Sequence, residues 1–258
     1  MTEPRGPDPY MGPVGSPAPA QDAEDHAAWQ GRTRVFLQPI AAPSILGLFG
    51  FGAATLMVGA WLAGWYGSVA TPLILFPFAV MAGGFAQFAA AMWSYRARDG
   101  LATGMHGIWG AFWLAFGLLF LLASVRGFPA ALTPVAGLAN PGFAFWFVAL
   151  CLITALGAIA ALGTNLALVA QLGVLALGSG FLAAGFFSGA VWPVRVSGWM
   201  FVVSALIAMY IAAAMMFEGS FGRTLLPMGK SRLGRAVPGR TSRALEYPYG
   251  QPGVKIGQ

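Results

Sequence analysis

Inside the apolar part of this sequence, few residues can do chemistry. They are Thr55, Gln87, Ser94, His106, Thr154, Thr164, Asn165 and Gln171, with several serines. An enzyme needs nucleophiles, acids, bases or metal ligands that converge on one point. No HExxH, paired carboxylate, CxxC or phosphate-binding loop occurs here. The reading is therefore a non-enzyme with no cofactor and no metal. What neutral amides and hydroxyls can do is bind and guide a small solute. Polar groups in a membrane are costly and tend to face a bundle interior or a water path. Gln87 stands out, because no other polar side chain occurs between Leu73 and Trp93. It could line a pathway or make an interhelical hydrogen bond. His106 could sense protons or serve as a solvated interfacial anchor. Cys151 is the sole cysteine, so no intrachain disulfide can form.

The elements that would position these groups are long apolar runs. The 258 residues are 58% hydrophobic and 9% charged, whereas a soluble domain carries about a quarter charged residues. So few charges cannot cover a surface in water, but they suit one solvated by lipid. Six runs, at about 44–66, 72–95, 103–124, 142–163, 167–190 and 197–218, each reach the roughly 20 residues that cross a bilayer core. In lipid each backbone amide needs an internal partner, so the runs are expected to be helices. The fold class is all-α integral membrane, a bundle of six transmembrane helices. Pro72, Pro141 and Pro193 fall near helix starts, where a missing N–H costs least, and Pro77 is expected to kink the second span.

Three regions follow. Residues 1–36, rich in Pro and acidic residues, read as a disordered tail without a signal-peptide core. Residues 37–218 hold the helices, and 219–258 form a basic tail. The net charge of +6 sits at the chain ends and in short loops, so topology explains it better than nucleic acid does. Arg126 and Arg195 fall on one side, and all the other basic residues fall on the opposite side. By the positive-inside rule both termini face the cytoplasm, across a cytoplasmic (inner) membrane.

Specific strings add to this reading. Phe221-Gly222-Arg223-Thr224-Leu225-Leu226-Pro227-Met228-Gly229 resembles the "FGRTVLPxG" ending of the acetate uptake transporter family, the succinate–acetate permease group. Leu46 to Gly52 resembles its "LGLxGFG", Gly83 to Ala90 its "GGxAQxxAG", and Gly110 to Trp113 part of its "YGxFW". The strings keep the family order, one per expected helix. The resemblance implies a homohexamer with one pathway per subunit, carrying acetate or related short carboxylates as a channel or proton symporter. It also implies a hydrophobic constriction made by Phe51, Trp109 and Leu162, and a substrate pathway that includes Gln87, Thr55 and Pro43. Trp109 stands where the family has Tyr, Ser94 where it has Glu, and Gly163 where it has a basic residue. With no buried carboxylate chain, a coupled proton would travel on the substrate as the neutral acid. The alternatives are a non-transporting sensor or scaffold of the same fold, or a pathway for another small solute such as ammonia.

Overall fold

The computed structural model describes residues 40–97, 99–125 and 139–229. The expected tail over 1–36, the basic tail beyond Gly229, and Arg98 and Arg126 lie outside those residues. Six helices, each long and apolar enough to cross a membrane, account for the described chain: α1 (Ser44–Leu62), α2 (Pro72–Ala97), α3 (Gly100–Ser124), α4 (Pro141–Ala161), α5 (Leu166–Ser188) and α6 (Val191–Phe221). All six expected spans are present, with ends moved by a few residues.

Local chemistry explains where each helix begins and stops. Asp99, Asn140 and Asn165 are N-caps, and their side chains accept from the backbone N–H of Ala102, Phe143 and Leu168. Each satisfies a donor that the first helical turn leaves unpaired. The α1 run expected to reach residue 66 stops at Leu62, because Gly64 and Gly67 both adopt positive φ. The turn then folds back, with Trp61 Nε1 donating to Ser68 O and Tyr66 Oη to Met57 O. Helix α6 has 31 residues, about 46 Å at ~1.5 Å per residue. That exceeds a hydrocarbon core of about 30 Å, so Arg195 and Glu218 can sit near its two polar ends.

After α6 the family-like string is built into the fold. Gly222 ends the helix in the left-handed conformation, and the chain returns to the start of α5. There Gly229 O and Met228 O accept from the N–H groups of Leu166 and Ala167, and Tyr210 Oη donates to Pro227 O. These carbonyls serve donors that open the first turn of α5.

Helix α2 is not a uniform α-helix. It is α-helical over Pro72–Phe78, π-helical over Ala79–Ala86 and α-helical again over Gln87–Ala97. Pro77 cannot donate a backbone hydrogen bond, and the wider π turn follows directly. The widened stretch contains Gly83, pressed between α1 and α3. A Cβ built there would lie 2.5 Å from Trp113 Cγ and 2.7 Å from Ala54 Cβ.

The chief packing partners are α1 with α6, α4 with α5, α5 with α6, and α2 with α3 and α1. The core between them is aromatic and aliphatic, including Phe51, Trp109, Phe112, Phe147 and Leu175. The outer faces are apolar too: Ile74, Phe78, Met81 and Phe85 on α2, and Phe145, Leu152, Leu156 and Ile159 on α4, are all exposed. In water such faces would drive association; in a bilayer they meet hydrocarbon.

Gly83→Ala is expected to lower stability by about 1–3 kcal/mol through overpacking. Gly173→Ala, with nothing within 4 Å of the added carbon, is expected to cause no loss. Thermal unfolding of the two purified variants in detergent checks the contrast.

Candidate solute pathway

Trp109 lines two cavities formed by the described helices. The first, of about 120 Å³, lies toward the Asp99 end. Leu48 and Phe51 of α1, Gln87 of α2, Met105 and His106 of α3, Gln171 and Leu175 of α5, and Ile211 of α6 form its walls. Asp99, Thr164 and Asn165 lie at its outer end. The second, of about 90 Å³, lies toward the Asn140 end and is mostly aromatic: Trp61, Phe112, Trp113, Phe116, Phe143, Phe147, Phe186 and Phe201, with Thr55 and Asn140 as polar members.

Aromatic packing fixes the boundary between them. Phe51 meets Trp109 edge-to-face at 5.9 Å between centroids and 82° between planes. Phe201 meets Trp109 from α6 at 6.4 Å and 86°, and Phe112 from its own helix at 5.5 Å and 75°. Edge-to-face pairs of this kind contribute about 0.5–1.5 kcal/mol beyond area burial. Trp109 is 2% exposed, and its indole Nε1 donates to Thr154 Oγ1 on α4 at 3.1 Å. A buried indole N–H left unpaired would be costly, so Thr154 satisfies it while tying α3 to α4.

The polar groups of the first cavity are mostly neutral. Gln87 Nε2 donates to Gly83 O at 2.8 Å, within the π-helical stretch. Gln171 Nε2 donates to Ser204 Oγ, which in turn donates to Gln171 O, linking α5 and α6. Gln171 Oε1 is buried with no partner among the described residues. Among the described residues no Lys or Arg lines either cavity, and the titratable lining residues are His106 and Asp99. A small neutral molecule with a carbonyl or hydroxyl fits such walls. A bare ion would lose its hydration with little in return.

The residues expected from the sequence divide clearly. Phe51 and Trp109 meet, and Gln87 lines the cavity beside them. Thr55 lies in the other cavity, where its Oγ1 has no described partner. Pro43 is the residue before α1 and lines neither cavity. Leu162 follows the end of α4 at Ala161, is 41% exposed and lines neither cavity. Buried Leu172 and Leu175 of α5 are among the leucines that share the first cavity with Phe51 and Trp109.

Sequence reasoning gave Thr154 and Gln171 no specific role. Thr154 carries the only hydroxyl in α4, the same kind of signal that drew attention to Gln87. His106 is 6% exposed rather than a solvated anchor.

Thr154→Val is expected to lower stability by about 1–3 kcal/mol, because it leaves a buried donor unpaired. The cost should shrink when Trp109 is already Phe. A double-mutant cycle of thermal stabilities measures that coupling.

Comparison with known proteins agrees with the fold. The model of the GPR1/FUN34/yaaH family matches residues 29–227. The chain is 28% identical over 196 residues to a protein named succinate-acetate/proton symporter SatP from Escherichia coli K12, covering 74% of this chain and 97% of that one. It is 28% identical over 187 residues to a protein of Methanothermobacter thermautotrophicus described as uncharacterized, covering 72% and 90%. It is 26% identical over 201 residues to protein alcS of Aspergillus fumigatus, covering 72% and 74%. A solved structure described as the bacterial acetate channel SatP superimposes with a TM-score of 0.66 at 24% identity, over 74% of this chain and 100% of the other. With a family match over most of its length and the same helical fold, this chain belongs to the GPR1/FUN34/yaaH family, the acetate uptake transporter group.

Proposed function

We propose that this protein moves acetate or a related short carboxylate across the cytoplasmic membrane, with both termini in the cytoplasm. The observation that carries the reading is the pair of cavities meeting at Trp109, one with amide walls and one aromatic. The name of one relative favours the same substrate class: the Escherichia coli protein is called a succinate-acetate/proton symporter.

In this reading solute enters the first cavity, where Gln87 can offer its amide to a carboxyl oxygen. It then passes the Phe51–Trp109 contact into the aromatic cavity, where Thr55 is the polar stop. The contact is a hydrophobic constriction that excludes water and hydrated ions. A neutral acid crosses it more readily than a carboxylate, because little charge has to be desolvated. The proton therefore travels on the substrate, and transport is proton-coupled without a relay of buried carboxylates. The exposed apolar faces of α2 and α4 supply surface for lipid and for neighbouring copies in a homohexamer.

The test is uptake of labelled acetate into proteoliposomes under an inward proton gradient, beside empty vesicles. The expected result is saturable uptake above the passive leak, inhibited by unlabelled acetate. Gln87→Ala is expected to reduce it about tenfold, the equivalent of one hydrogen bond of ~1.4 kcal/mol. Uptake no faster than in empty vesicles, with folded protein, would refute the reading.

A further inference from the structure

His106 takes no part in the packing account given so far, yet its setting is specific. It lies on α3, one turn before Trp109, and lines the first cavity. It is 6% exposed, and no hydrogen bond links it to another described residue. Its ring rests on Gly47 of α1. A Cβ built on that glycine would lie 2.5 Å from His106 Cε1 and 2.6 Å from both Nδ1 and Nε2. Such even distances describe a ring lying face-on over the glycine, and a face-on ring leaves its nitrogens free of α1. An imidazole in a cavity wall with no described partner is available to a polar group that enters the cavity.

The surroundings narrow what could pair with it. Among the described residues, Asp99 is the only other titratable residue lining the cavity, and its side chain caps α3 by accepting from Ala102 N. The parts of α1, α2, α5 and α6 that form the walls contribute no titratable group. Among the described residues of the cavity walls, His106 is therefore the one group that can become a cation.

We propose that His106 binds the carboxyl group of the solute in the first cavity and exchanges a proton with it. This rests on the carboxylate pathway proposed above. When the acid enters, its O–H proton moves to a free imidazole nitrogen: the O–H bond breaks, an N–H bond forms, and a carboxylate faces an imidazolium. Return of the same proton regenerates the neutral acid, which passes the aromatic contact. A charge-assisted pair of this kind is stronger than a neutral hydrogen bond. Gly47 makes the site possible by giving the ring room.

The sequence has two histidines, so His26→Gln leaves His106 as the only imidazole. In that protein, labelled with ¹⁵N-histidine and solubilised in detergent, the ring nitrogen signals are followed while acetate is added. They are expected to shift saturably toward the protonated form, and chloride at equal ionic strength should not reproduce the shift. In proteoliposomes, His106→Gln is expected to lower saturable acetate flux about tenfold, on the scale of one lost charge-assisted bond, and to flatten its pH dependence. Gly47→Ala, which displaces the ring, should weaken the spectral response to acetate. If the signals ignore acetate while the unmodified protein carries it, the His106 proposal is overturned and the transport reading stands. If they respond while no saturable flux is found, the site is real and the transport reading fails. Silence in both measurements overturns both.

Discussion

The indole of Trp109 is the piece on which the other features of the bundle depend. Its faces and edges meet Phe51 of α1, Phe112 of its own helix and Phe201 of α6, and its one polar atom is held by Thr154 of α4. A flat, fully buried side chain with a single donor has few ways to be satisfied. Each contact comes from a different element, so the ring fixes the helices against one another as much as they fix the ring. The two cavities are what remains on either side of it, and any solute that crosses the protein along them has to move past that ring.

The polar groups reach the first cavity because α2 is distorted. Pro77 interrupts the α-helical hydrogen bonding, and the π turns that follow carry Gly83, whose missing side chain lets Trp113 and Ala54 close in. The Gly83 carbonyl then receives the Gln87 amide. A regular α-helix through this stretch would present its residues at a different angle. A similar economy operates at the start of α5. There Asn165, Met228 and Gly229 together serve the backbone N–H groups of the first turn, so the terminal string acts as a structural clasp.

Most of the fold could be read from composition and run length, because lipid leaves a chain few options: six apolar runs gave six helices. Helix ends were less legible. The capping by Asp99 and Asn165 was not read from the sequence, and Gly64 stopped α1 earlier than hydropathy suggested. Of the residues lining the first cavity, Phe51, Trp109 and Gln87 were singled out through motif strings that hold their spacing along single helices. Leu162 lines neither cavity; its place depends on the rotation and end of α4, which a nearly uniform apolar sequence does not encode. Thr154 and Gln171 matter through partners 45 and 33 residues away, and no local pattern reports such pairings. The burial of His106 likewise depends on Gly47, on a different helix.

The central claim is that the Trp109 ring forms the barrier between the two cavities. Anion permeability of proteoliposomes carrying the unmodified protein or Trp109→Ala tests it most directly, with chloride as the probe. The account predicts that the unmodified protein excludes chloride and that the folded variant, with its cavities joined, admits it. Equal exclusion of chloride by both folded proteins would contradict the account and place the barrier elsewhere along the pathway.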